Sequence, residues 1–180
     1  MAYHLRAARL DERDRLAELI ALSARALCAA DYSSQQIEGA LRSAFGVDTE
    51  LVRDGTYFVI EYAGQLAACG GWSRRATLFG GDTGVARDST LLDPATQAAK
   101  VRAFFVHPDH ARAGLGRMLL DHCEAEARRH GFRTVELMAT LTGRKLYEQC
   151  GYLPQAPVQY EIEPGLTIEF VPMRKALSTE

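Results

Sequence analysis

Apolar positions change their period several times along the chain, and each change marks an element. Tyr3 to Arg9 alternates loosely, as a short strand does. Leu16, Leu19, Ile20, Ala24 and Leu27 then recur at helical spacing. Asp11 is placed to cap that helix, with Asp14 in its first turn. Ser33 and Gln36 form a capping-box pair, Ile37, Leu41, Ala44 and Phe45 line one face, and Gly46 stops this second helix. Tyr57 to Tyr62 is rich in β-branched and aromatic residues, and Ala63-Gly64 turns it into a hairpin partner from Gln65 to Ser73. Gly70-Gly71 inside that partner predicts a bulge or a close approach.

The rhythm breaks between Arg74 and Ala98, which hold Gly80, Gly81, Gly84 and a possible helix start at Asp93-Pro94. A stretch this long is a surface loop or a substrate lid, and both readings stay open. Val101 to Val106 restores an apolar strand. From Gly114 to His130 the period is helical, with Leu115, Leu119, Cys123 and Ala127 inward, Arg117, Asp121, Glu124 and Arg128 outward, and Gly131 at the end. A strand from Arg133 to Ala139, a short helix from Thr142 to Cys150, and a hairpin of Val158–Glu163 and Leu166–Pro172 complete the chain. The expectation is an α+β fold with a mixed, mostly antiparallel central sheet flanked by helices.

Composition narrows the function classes. At 180 residues and 47% hydrophobic, residues 1–180 suffice for one domain with a sizeable core. Lys and Arg number 21 against 23 Asp and Glu, which leaves no basic field for nucleic acid. No apolar run approaches the ~20 residues of a membrane span. The N-terminal stretch turns charged at once and has no apolar signal core. Cys28, Cys69, Cys123 and Cys150 are scattered without metal-binding spacing, as expected of reduced, buried thiols in a cytoplasmic protein.

The candidate chemistry begins at Gly114-Leu115-Gly116. A helix N-terminus leaves backbone N–H groups without partners and carries partial positive charge, so glycines there admit an anion, phosphate above all. Arg112 and Arg117 flank the turn and can add charge-assisted bonds. A dinucleotide fingerprint fails. Its third glycine falls on Leu119, and seven residues separate the strand end at Val106 from Gly114. No Lys-Ser/Thr pair follows the glycines, so a P-loop fails as well.

The run from Val101 to Tyr152 resembles the acetyl-CoA-binding half of the GNAT superfamily of N-acetyltransferases. The resemblance rests on a strand, a loop, a Q/R-x-x-G-x-G/A turn and helix, a second strand, and a short helix closing on Leu146-Tyr147-Glu148-Gln149-Cys150-Gly151-Tyr152. The first position of the turn motif is Ala111, with Arg112 one place later. Thr140 stands where the family commonly has Asn, and Gly143 supplies the usual small residue.

The resemblance implies a GNAT-like acyl-CoA N-acyltransferase fold that uses acetyl-CoA as co-substrate and no metal. It implies that backbone at Phe105 and Val106 pairs with the pantetheine arm. Arg112, Ala113, Gly114, Leu115, Gly116 and Arg117 would take the pyrophosphate, and Thr140 would offer its hydroxyl. Tyr147 matches the general acid that protonates the leaving thiolate. The acceptor would be a small-molecule or peptide amine attacking the thioester directly. Homodimers occur in the family, though no residue here argues for one. The alternative is a CoA-binding sensor or interaction domain that has lost the chemistry. A base is not evident, because Lys100 and Arg102 occupy the stretch where some members carry Glu; Glu61, Asp93, Glu136, Glu169 or a water chain remain open. The His107-Pro108-Asp109-His110 run lacks a tetrahedral metal set and reads as surface loop. Acidic residues at Glu161, Glu163, Glu169, Asp82 and Asp88 suggest either a cationic acceptor or a solvated face.

Overall fold

The structure is a computed structural model that describes residues 2–82 and 87–178, so Gly84 of the long loop lies outside the described residues. Its centre is an eight-stranded sheet in the order β1-β2-β3-β4-β5-β8-β6, with β7 on the far side of β8. The strands are β1 (His4–Ala7), β2 (Tyr57–Tyr62), β3 (Gln65–Ser73), β4 (Ala99–Val106), β5 (Thr134–Thr140), β6 (Leu153–Pro154), β7 (Val158–Glu163) and β8 (Leu166–Ala176). The described α-helices are α1 (Arg13–Leu27), α2 (Ser34–Leu41), α3 (Thr49–Arg53), α4 (Leu115–Arg129) and α5 (Arg144–Gln149). The mixed, mostly antiparallel α+β architecture read from the sequence is the one observed: every pairing is antiparallel except β4 with β5.

Both faces of the sheet are covered, and the side-chain period of two sorts residues between them. Tyr57 and Val59 join the α1 and α2 layer, while Phe58 and Ile60 join the layer under α4. At the Ala63-Gly64 turn both residues have positive φ, 50° and 79°, the geometry that matches the twist of a two-residue hairpin.

Several local expectations need correction. Asp11 does not cap α1. A 3₁₀ turn over Leu10–Glu12 precedes the helix, Asp11 pairs with Arg9 Nε at 3.1 Å, and Glu12, 2% exposed, accepts from Arg9 N at 3.0 Å. The Ser33/Gln36 capping box is present, but α2 ends at Leu41 rather than at Gly46. Ala44 and Phe45 are buried from the turn that follows. Asp93 caps a turn and starts no helix, its carboxylate accepting from Ala95 N at 3.0 Å. Glu124 is not outward. It is buried beneath Lys175 Nζ (2.8 Å) and the Tyr152 hydroxyl (3.1 Å), whose donors replace water. Helix α3 and strand β6 were not legible, being only five and two residues long.

Candidate functional site

The site begins where two strands part. β4 and β5 pair in parallel at Ala99↔Val135 and Lys100↔Glu136, and beyond that the register is lost. The later residues of both strands instead form two walls of a cavity of about 640 Å³. β4 is forced outward by a bulge: Arg102 faces Gly71 and Phe105 faces Cys69, so Ala103 and Phe104 share the single partner position of Gly70. Ala103 takes φ +56°, and a Cβ on Gly70 would lie 2.3 Å from the Phe104 ring. The Gly70-Gly71 pair therefore does mark both a bulge and a close approach.

Backbone polarity follows from the strand geometry. His107 N donates to Ala67 O at 2.8 Å, so Val106, one residue earlier, turns its N–H to the opposite edge. There it donates to Ser23 Oγ of α1 at 3.2 Å. Ser23 occupies a buried position in the same helical stripe as Leu16, Leu19, Ile20 and Ala24. A polar residue in an apolar stripe was the signal in the sequence that α1 contributes to the site.

The cavity floor continues into α4. Arg112 (φ +64°) and Gly114 (φ +82°) are both left-handed and wrap the chain into the helix, whose first turn has no side-chain cap. The position of a Cβ on Gly114 meets no heavy atom within 4 Å, so the mouth of the turn is open. Gly116 is small for another reason: a Cβ there would lie 2.8 Å from Leu146 Cδ2 of α5. Uncapped N–H groups at an open helix end are the natural cradle for phosphate.

Of the residues singled out in the sequence, Phe105, Val106, Arg112, Gly114, Leu115, Gly116, Arg117, Thr140 and Tyr147 line this cavity; Ala113 lies in the turn but is not part of the lining. Thr140 Oγ1 accepts from Gly143 N at 3.0 Å, which shapes the entrance to α5 and leaves its own proton to donate. Tyr147 is 8% exposed, and no hydrogen bond among the described residues involves its hydroxyl. Burial, with Cys123 and Cys150 beside it, pushes its pKa well above the ordinary phenol value. The tyrosine that lines the cavity thus carries a neutral phenol.

The structure brings none of the four carboxylates considered as bases to the cavity. Glu61 is tied to Arg6 at 2.5 Å. Asp93 holds its turn, Glu136 is bound by Lys100, and Glu169 accepts from Gln159 at 3.0 Å. Among the described residues no Asp, Glu or His lines the cavity at all, whereas Arg102, Arg112, Arg117 and Lys145 do. The acidic residues of the terminal hairpin and loop are also elsewhere, Glu163 on Arg42 and Asp82 on Thr49. Among the described residues, none of the five acidic residues at Glu161, Glu163, Glu169, Asp82 and Asp88 lines this cavity. The other end is apolar, built by Leu27, Phe45, Leu78, Phe79 and Phe170, from the first helix, the turn after the second, the long loop and the terminal hairpin.

The long loop contributes through Leu78, Phe79 and Gly80, and it is tied down. Arg75 grips Asp54 at 2.7 Å, Thr77 and Asp88 bond across the loop, and Arg75 bridges Leu91. The described part is a strapped wall of the cavity.

Comparison with known proteins agrees with this geometry. The sequence profile described as the acetyltransferase (GNAT) family matches residues 22–152. No curated protein sequence matches the chain significantly. Among solved structures, a GCN5-related N-acetyltransferase from Rhodopseudomonas palustris superposes with a TM-score of 0.72 at 18% identity, over 98% of this chain and 97% of that one. PaiA N-acetyltransferase from Thermoplasma acidophilum, solved in complex with coenzyme A, gives 0.66 at 14% identity over 98% and 100%. YncA from Salmonella typhimurium, solved with its cofactor acetyl-CoA, gives 0.64 at 17% identity over 100% and 96%. At such identities the structural likeness speaks for the fold, while the profile match spans most of the chain. With its splayed sheet, bulged fourth strand and open helix N-terminus, this chain belongs to the GNAT acetyltransferase family.

Proposed function

We propose that the chain is an N-acetyltransferase that transfers the acetyl group of acetyl-CoA to a primary amine, within one domain spanning residues 1–180. The observation that carries the reading is the meeting of an uncapped, open helix N-terminus and a tyrosine without a hydrogen bond to its hydroxyl among the described residues, in one cavity between parted strands. Acetyl-CoA fits these residues: the pyrophosphate on the N–H groups of the 112–117 turn, with Arg112 and Arg117 beside it, and the pantetheine arm along the free edge of β4. There its amide would replace Ser23 as acceptor for the Val106 N–H.

The chemistry is a single displacement. The amine nitrogen attacks the thioester carbon, the N–C bond forms, and the carbonyl becomes an oxyanion that strand N–H groups stabilise. Collapse breaks the C–S bond, the phenol of Tyr147 gives its proton to the departing thiolate, and the second proton of the nitrogen, released as the neutral amide forms, passes through water to restore the phenol. Its raised pKa keeps the phenol protonated at neutral pH, as an acid must be. The amine arrives protonated and loses its first proton to water, since among the described residues no carboxylate lines the cavity. A cytoplasmic location fits four free cysteines, three of them buried.

The absence of a lining carboxylate among the described residues favours one rival, a CoA-binding sensor without turnover. Calorimetry with acetyl-CoA and a screen of amines read by free thiol release separate the two. Binding with thiol release is expected. Binding without release by any amine leaves the sensor, and no binding at millimolar acetyl-CoA removes both.

A further inference from the structure

Leu78 and Phe79 are the large apolar side chains between Arg74 and Asp82, and both line the cavity half-buried instead of joining the core fully. The backbone behind them is fixed at three successive residues. Gly80 O accepts from Arg102 Nη2 at 2.8 Å. Gly81 lies against Gly46, and a Cβ on Gly81 would fall 2.8 Å from Gly46 Cα. Asp82 N donates to Val47 O at 3.0 Å, and its carboxylate accepts from Thr49 N at 2.9 Å. The loop is thereby clamped, backbone to backbone, onto the turn that carries Phe45. From there the rings run in a row. Phe105 packs edge-on against Phe45 at 5.6 Å, Phe45 meets Phe170 at 6.2 Å, and Phe170 meets Phe79 edge-on at 5.7 Å. Phe45 and Phe170 are buried, while Phe105 and Phe79 at the two ends of the row are half-buried.

No accessible charge stands at this end of the cavity. Arg102 belongs to the lining, but its side chain is 1% exposed and its guanidinium is held by Asp48 at 2.5 Å and by Gly80 O, so it is sealed from any ligand. The other three lining cations belong to the end at the helix turn. Arg112 and Arg117 flank that turn, and Lys145, exposed on α5, directly precedes Leu146, the side chain that meets Gly116. Among the described residues no carboxylate or histidine lines the cavity. A second charge on an acceptor, of either sign, would lie among the rings without a partner, and burying an unpaired charge is costly.

We propose that this row of rings seats the acceptor, so that the amine acetylated by this chain is carried on an uncharged apolar body. The proposal rests on the acetyl-transfer reading above. One cavity runs from the helix turn to Phe79, so a thioester held from the turn end meets an amine held from the ring end. An acetyl group is short and leaves the ring end to the amine. Apolar surface of the acceptor leaves water there, and Phe79 and Phe105 offer aromatic edges and faces to it. The clamped loop forms the seat before the acceptor arrives, so little ordering opposes binding.

The test uses the full chain with CoA bound, titrated calorimetrically with N-phenethylacetamide, N-ethylacetamide, N-acetylputrescine and N-acetyl-L-phenylalanine. N-phenethylacetamide is expected to bind at least about tenfold more tightly than each of the others. Phe79→Ala is expected to cut its preference over N-ethylacetamide at least about fivefold while CoA affinity changes less than about threefold. Gly81→Ala, whose methyl must push the loop off Gly46, is expected to do the same with every ring kept. In the unaltered protein, no preference for N-phenethylacetamide, equal binding of the acid or of the putrescine derivative, or binding of none at millimolar concentration overturns the proposal. A preference that both variants leave intact overturns it too. Faster thiol release from hexanoyl-CoA than from acetyl-CoA with ethylamine, lost in Phe79→Ala, would assign the rings to the acyl chain and likewise overturn it. Thiol release at equal kcat/KM from phenethylamine and ethylamine overturns the seat and leaves acetyl transfer standing. Selective binding of N-phenethylacetamide with no thiol release from any amine supports the seat and removes acetyl transfer.

Discussion

At the scale of single residues, Tyr147 is where the chemistry is most exposed to test. Its side chain lines the cavity, its hydroxyl has no hydrogen bond among the described residues, and its ring packs between Phe104 at 6.4 Å and Tyr152 at 5.8 Å. Tyr147→Phe keeps that packing, so acetyl-CoA affinity is expected to change less than threefold, while kcat falls about 10²-fold through loss of the acid. Because the folded-state pKa is raised, the phenol remains an acid through the range where a free tyrosine begins to ionise, near ~10. A pH profile of kcat should therefore show no fall assignable to Tyr147 up to that pH. The same sign gives the linkage: burial of the neutral phenol favours the folded state below about pH 10, and the contribution is lost as pH rises past it. A kcat for Tyr147→Phe equal to that of the unaltered protein would reassign the residue to packing. The place of Tyr147 in the cavity lining was legible because a short motif fixed its distance from the glycine turn. Its isolation from hydrogen-bond partners was not, since that depends on what α4, α5 and β4 fail to offer it.

At the scale of elements, the bulge in β4 decides the shape of the site. Two residues, Ala103 and Phe104, must fit opposite Gly70, and only a glycine leaves room for the Phe104 ring. Gly70→Ala puts a methyl within 2.3 Å of that ring and drives it off the strand toward the cavity. The expected cost is about 1–3 kcal/mol of stability, measured by denaturant unfolding, with acetyl-CoA bound roughly tenfold more weakly. Unfolding at the original midpoint with unchanged affinity would mean that the bulge tolerates the methyl. The Gly70-Gly71 pair announced a close approach in the sequence, yet which strand carried the bulge was decided by pairing. The helix turn behaves likewise. Gly114 and Gly116 read as one anion cradle, but only Gly114 combines positive φ with open space, while Gly116 makes way for Leu146.

At the scale of the whole molecule, the cavity collects charge of one sign. Four cations line it and, among the described residues, no carboxylate or histidine does; Glu61, Asp93, Glu136 and Glu169 are each held by partners outside the lining. With no carboxylate or histidine among the described residues lining the cavity, kcat/KM should rise with pH in step with the unprotonated fraction of the acceptor, about tenfold per pH unit below its pKa. Two acceptors of different amine pKa, assayed across pH 6–10 (about the working range for such amines), should give profiles whose inflections differ as the amines do. A common inflection for both would reveal a protein base and remove the water-only deprotonation.

What the sequence determined by itself is the donor side of this protein. Helical and alternating periods placed the elements, and a glycine turn and a tyrosine motif close together in the chain specified a strand–turn–helix whose contacts are mostly local. The acceptor side was decided by tertiary structure. It is assembled from α1, the turn after α2, the strapped loop, β4 and β8, which are distant in sequence and meet only when the sheet closes. Arg102 shows the difference: in the sequence it only occupies a place where a base was expected. In the fold, it is buried against a carboxylate that it shares with Arg87, an environment that only the meeting of β4 with the residues before α3 creates.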